Sequence, residues 1–137
     1  MVWLIFDLDR TLVNRQQVLY PGVREILQTL NSQGYSMFVI SFNPAARRIL
    51  QEQHILHLFQ DIIVKTQAKA QSIYDLSEQY SLPVQRAIFF DDSAANLETC
   101  RYYQIQCQQV DPNLGIQARQ IRTAIRTAMT RTIEMPT

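Results

Sequence analysis

Five short apolar runs, at residues 2–6, 36–40, 62–64, 87–90 and 105–110, recur along the chain and are separated by longer segments of helical periodicity. This alternation is what βαβ units produce, and it commits the chain to a parallel sheet covered by helices. The first run, Val2 to Phe6, is continuously apolar, as a strand buried on both faces requires. At 137 residues the chain supplies one core of this kind and is too short for two. The expectation is therefore a single domain over residues 1–137.

Between the runs, Pro21 marks the start of a helix through about Gln33, and Gly34 stops it. Pro44 opens a second helix through about Gln53. A third spans Ala68 to Tyr80, with Ile73, Leu76 and Tyr80 on one face, and Pro83 ends that segment. Ser93 can cap a fourth helix carrying Leu97 and Cys100. The Gln-rich run Ile105–Val110 reads as a weaker fifth strand at a sheet edge. Ile121, Ile125 and Met129 then lie four residues apart, as in a final amphipathic helix over about 116–132.

Hydrophobic residues make up 47% and charged residues 18%, which excludes disordered and collagenous classes. A formal charge of +1 gives no bulk attraction to nucleic acid or to a membrane. Cys100 and Cys107 have no metal-ligand spacing near them and read as reduced, buried thiols. The apolar N-terminus lacks a basic segment and runs into aspartates, unlike a signal peptide, so a soluble cytoplasmic protein with no membrane partner is expected. His54 and His57 read as structural or solvated, and Trp3, Phe89 and Phe90 as packing residues. Arg119, Arg122, Arg126 and Arg131 form a basic run on the last helix, which reads as a solvated face, with nucleic acid as the less favoured partner.

In a doubly wound α/β sheet, ligands bind beyond the carboxyl ends of the strands. Three strands end there in polar residues. The first runs into Asp7 and Asp9, which point the same way if the chain stays extended. The second ends in Ser41, Phe42 and Asn43, and the fourth in Asp91, Asp92 and Ser93, with Asn96 one helical turn later. Like charges gathered at the edge of a core repel one another unless a cation relieves them. An all-oxygen site of this type suits Mg²⁺. Lys69, or alternatively Lys65, can supply the fixed positive charge that phosphoryl chemistry needs; they are the only two lysines.

Over residues 2–97 these features resemble, in order, the four motifs of the haloacid dehalogenase superfamily of phosphohydrolases. Asp7, Asp9, Thr11 and Leu12 match its DxDxT motif, Ser41 its second, Lys69 or Lys65 its third, and Asp91 with Asp92 its fourth. The resemblance implies a three-layer, Rossmann-like sheet of about five parallel strands and a phosphomonoester hydrolase. Asp7 would be the nucleophile, forming an aspartyl-phosphate, and Asp9 the general acid and base. Mg²⁺ would be held by Asp7, the backbone carbonyl of Asp9 and Asp92, with Asp91 supporting. Ser41 and the lysine would hold the phosphoryl group, with Thr11 and Asn43 as further candidates. Asn96 stands where many relatives carry an acid, which suggests an outer contact.

No gap has room for the cap domain that many members insert, so the resemblance is to a capless form. FDLDRTL, YPGVREILQTL and IFFDDSAANL look closest to the magnesium-dependent phosphatases linked to protein phosphotyrosine and sugar phosphates. A phosphorylated small molecule or phosphoprotein is the implied substrate. The alternatives are a nucleic-acid-end phosphatase, a phosphoryl-accepting receiver module, or a catalytically silent relative. Receivers carry adjacent acids early and a lone one later, the reverse of the order here. Arg10 is close enough in sequence to Asp9 to touch substrate.

Overall fold

The computed structural model describes residues 1–65 and 68–134, with the side chains of 131–134 outside the described residues. Strands β1 (Trp3–Phe6), β2 (Met37–Ser41), β3 (Asp61–Val64), β4 (Ala87–Asp91) and β5 (Gln106–Gln109) form one parallel sheet in the order β3-β2-β1-β4-β5. Helices α1 (Val23–Ser32), α2 (Ala46–Glu52), α3 (Lys69–Tyr80), α4 (Ala94–Tyr102) and α5 (Ala118–Glu134) connect and cover it. The architecture is the three-layer, Rossmann-like sheet expected.

The two faces follow from the period-two alternation of β1. Leu4 and Phe6 pack with Leu27 of α1, Ile49 of α2 and Ile121 of α5, whereas Trp3 and Ile5 pack with Ile73 of α3 and Cys100 of α4. Because both faces are covered, all four residues of β1 are fully buried. Trp3 spends its indole N–H on the carbonyl of Pro83, 2.7 Å away, and Phe6 stacks on Phe90 of the adjacent strand. All three aromatics read as packing residues are fully buried.

Element boundaries shift by one or two residues in places. Pro21 does not begin α1: Gly22 follows in the left-handed region (φ 84°), which a helix cannot include, so the first turn waits for Val23. The second helix starts two residues after Pro44 for a similar local reason, since Asn43 folds back to accept the amide of Ala45 through its side chain at 2.9 Å. At the other margin, β5 is the exposed edge, and it is short and polar, as an unpaired edge should be. Cys100 is buried and Cys107 half-buried, both free, with Cys107 donating to the carbonyl of Ile105 at 3.2 Å. His54 and His57 are exposed. No helix among the described residues is long and apolar enough to cross a membrane.

The strand order sets the position of the site. From β1 the chain moves outward through β2 to β3, then returns to the other side of β1 to lay down β4 and β5. The carboxyl ends of β1 and β4 therefore adjoin where the winding reverses, the usual location of a ligand crevice. Asp7 N–H donates to the Phe90 carbonyl at 2.9 Å, extending the β1–β4 ladder up to the first acid.

Candidate active site

Beyond Phe6 the chain leaves the sheet. Leu8 accepts backbone bonds from Leu12 at 3.0 Å and Val13 at 3.1 Å, so the segment coils on itself. The premise of an extended chain past Asp7 therefore does not hold. Asp7 is buried (6% exposed) and Asp9 only half-buried, yet both line one cavity of about 620 Å³.

On the floor of this cavity lies an ion-pair network. Lys69, at the first position of α3, is 3% exposed and places its Nζ 2.6 Å from Asp7 Oδ1 and 3.0 Å from Asp91 Oδ2. Its ammonium also lies over the rings of Phe42 and Phe89, at 4.8 and 5.7 Å from their centroids. Lys65 is exposed and forms no part of the cavity wall. Of the two lysines, only Lys69 joins the acids.

Asp91, fully buried, is held by three protein donors. It accepts from Lys69, from the Ser93 backbone N–H at 2.8 Å and from Asn96 Nδ2 at 2.9 Å. Asn96 therefore reaches the cluster through Asp91. Asp92 is half-buried, and ligand atoms of Asp7, Asp91 and Asp92 all lie within 4.8 Å of one another. Burial, more than any neighbour, pushes the Asp7 carboxyl up to about 8; Lys69 pulls it down and Asp91 adds to the rise. The Asp92 carboxyl is raised as well, chiefly by burial. Carboxylates so placed favour a proton or a cation, and an all-oxygen set matches a hard divalent ion. The residues present therefore fit Mg²⁺.

Asp9 faces a separate partner. Asn43 Nδ2 donates to its Oδ2 at 3.2 Å, while the Asn43 backbone N–H donates to Ser41 Oγ at 3.0 Å. Asn43 therefore sits between the hydroxyl at the end of β2 and the second acid of β1. Ser41 is 1% exposed, and with its oxygen accepting from Asn43 its own proton remains to be donated. Thr11 is fully buried, and its Oγ1 finds no partner among the described protein atoms. Neither Thr11, Ser41 nor Asn43 forms part of the cavity wall.

The rim contains what sequence reasoning missed. Residues 13–19 fold back as a small hairpin, with a Val13–Leu19 bridge and Asn14 Oδ1 accepting from Gln16 N–H at 2.9 Å and Val18 N–H at 3.2 Å. Asn14 and Arg15 from this flap line the cavity together with Arg10, Phe42 and Ser93. Asn14, a residue that closes turns on its own backbone, was the available signal. Phe42, 46% exposed between two polar residues, left none. Arg119, Arg122 and Arg126 are exposed on α5 and absent from the cavity; the side chains of Arg131 and Glu134 lie outside the described residues.

Known structures share the fold. The core domain of a Streptococcus pneumoniae protein described provisionally as a phosphoglycolate phosphatase superposes with a TM-score of 0.67 at 20% identity, covering 98% of this chain and 96% of its own. A predicted phosphoglycolate phosphatase from Haemophilus somnus is 26% identical over 65% of this chain and 43% of its own, with a TM-score of 0.58. The N-terminal part of a Bacteroides fragilis protein, containing a phosphatase domain complexed with Mg, gives 0.75 at 16% identity over 88% of this chain and 39% of its own. This chain spans nearly all of the first and under half of the other two. No curated protein matches the sequence significantly. The family model for haloacid dehalogenase-like hydrolases matches residues 15–110, more than half of the sequence, and the chain therefore belongs to that family.

Proposed function

We propose that the protein is a magnesium-dependent phosphomonoesterase working through an aspartyl-phosphate on Asp7. The observation that carries this reading is the placement of Asp7 between the Lys69 ammonium at 2.6 Å and the carboxylates of Asp91 and Asp92, with Asp9 on the same cavity. Mg²⁺ would be held by Asp7, Asp92 and the backbone carbonyl of Asp9, and Asp91, already held by Lys69, Ser93 and Asn96, would orient Lys69. When bound, the ion supplies charge neutralisation for the phosphate oxygens and lets Asp7 ionise at neutral pH.

An Asp7 oxygen attacks phosphorus as the bond from phosphorus to the leaving oxygen breaks, and Asp9 delivers its proton to that oxygen. In the second half, Asp9 takes a proton from a water whose oxygen attacks phosphorus. Phosphate departs and the Asp7 carboxylate is regenerated. Lys69, which lines the cavity, would hold the phosphoryl oxygens, while Ser41 lies behind the wall and accepts from the backbone N–H of Asn43, whose side chain donates to Asp9 at 3.2 Å.

We read the domain as capless. The β1–α1 connection is a single short flap, and β2 leads to β3 through α2 and one 3-10 turn. The test is Mg²⁺-dependent release of phosphate from p-nitrophenyl phosphate over many turnovers. Full activity in EDTA, or in Asp7→Asn, would overturn the reading, and one slow turnover would favour a receiver.

A further inference from the structure

Building on the phosphatase reading, we infer that Arg10 and Arg15 form a second anion subsite, so that the substrate is a phosphomonoester whose leaving group carries its own acidic group. Depth and free charge distinguish the two ends of the cavity. The phosphoryl-binding end is the buried floor, where Lys69 is consumed by Asp7 and Asp91. Arg10 and Arg15 are exposed and line the same cavity, so they lie at its open rim and not among its buried acids. Neither guanidinium has a hydrogen bond or salt bridge among the described residues, and of the arginines without such a partner these two are the ones that line this cavity.

Both arginines are held in place by the backbone. Arg10 adopts φ 61°, a left-handed conformation uncommon for arginine, and its N–H donates to the Val13 carbonyl at 2.7 Å. Arg15 sits in the turn that the Asn14 side chain closes through Gln16 and Val18. Both cations belong to the lining of the one cavity, on either side of Asn14 in the lining sequence. A guanidinium meets a carboxylate or phosphate with paired, charge-assisted N–H donors. The ligand chemistry is a second carboxylate or phosphate on a small molecule.

Titration calorimetry of the full chain with Mg²⁺ and non-hydrolysable phosphonates tests this without needing turnover. A carboxyalkyl phosphonate and an alkyl bisphosphonate are compared with an uncharged carbamoylalkyl phosphonate. We expect at least one charged ligand to bind about ten-fold or more tighter than the carbamoyl ligand, and which one identifies the second anion as carboxylate or phosphate. In Arg10→Gln and Arg15→Gln that preference should fall several-fold, and in the double variant it should vanish. Equal binding of charged and uncharged ligands, or a preference that survives the double variant, overturns the subsite. Failure of the phosphatase reading would show separately, as absent turnover of p-nitrophenyl phosphate.

Discussion

Lys69 Nζ and Asp7 Oδ1 meet at 2.6 Å in a site where neither side chain is more than 8% exposed. The same ammonium lies 3.0 Å from the fully buried Asp91, so removing Lys69 strands that carboxylate. Lys69→Met should therefore destabilise the metal-free protein by about 3–5 kcal/mol and lower phosphatase turnover by about 10²–10³-fold. Lys65→Met, at an exposed position, should change either quantity little. Thermal unfolding and steady-state kinetics on the two variants separate the lysines.

Metal affinity should depend on pH with a sign set by Asp7. Its carboxyl is held up to about 8 in the metal-free fold, against 3.8 ordinarily, so the folded state keeps a proton that the unfolded chain has lost. Stability of the metal-free protein should fall as pH rises from about 4 towards 8, since the folded state binds more protons there. Mg²⁺ competes with that proton. Its affinity should rise by up to about ten-fold per pH unit below pH 8 and level off above, as calorimetry would show. A flat profile would remove Asp7 from the metal shell.

Asp9→Asn should leave Mg²⁺ binding close to wild type, because only its backbone carbonyl is assigned to the ion. Turnover should drop by about 10²–10⁴-fold, the usual worth of a general acid and base. Because hydrolysis of the intermediate loses its base, intact-mass spectrometry after mixing with an activated phosphate ester should detect a phosphorylated chain. Asp7→Asn should not acquire the group.

Gly115 should tolerate no side chain. It holds φ 71°, and a Cβ there would overlap the ring of Tyr20, whose hydroxyl donates to the Pro112 carbonyl at 2.6 Å. Gly115→Ala is expected to cost about 2–4 kcal/mol, through strain and the displaced ring. Denaturant unfolding measures it.

The sheet was legible because a parallel strand buried on both faces leaves an uninterrupted apolar run, and Val2–Phe6 is one. That Asp7, Asp91 and Asp92 gather at one edge was legible because strands β1 and β4 both run into acids, although a single acid there could as well cap a helix or meet solvent. What the residues could not tell was depth. Lys65 and Lys69 are four apart, and only the start of α3 decides which is carried inward. The hairpin at 13–19 leaves no alternating pattern in the sequence, since one bridge and an Asn side chain hold it.

The bond from Asp7 N–H to the Phe90 carbonyl has a consequence for biosynthesis. The acids of β1 are made first, but their partners on β4 follow more than eighty residues later, after β2 and β3. A growing chain that has emerged only through β3 carries Asp7 and Asp9 with no Asp91, no Asp92 and no sheet neighbour on that side of β1. The reactive centre is thus absent from the ribosome-bound intermediate and arises in one late docking event, when β4 closes against β1.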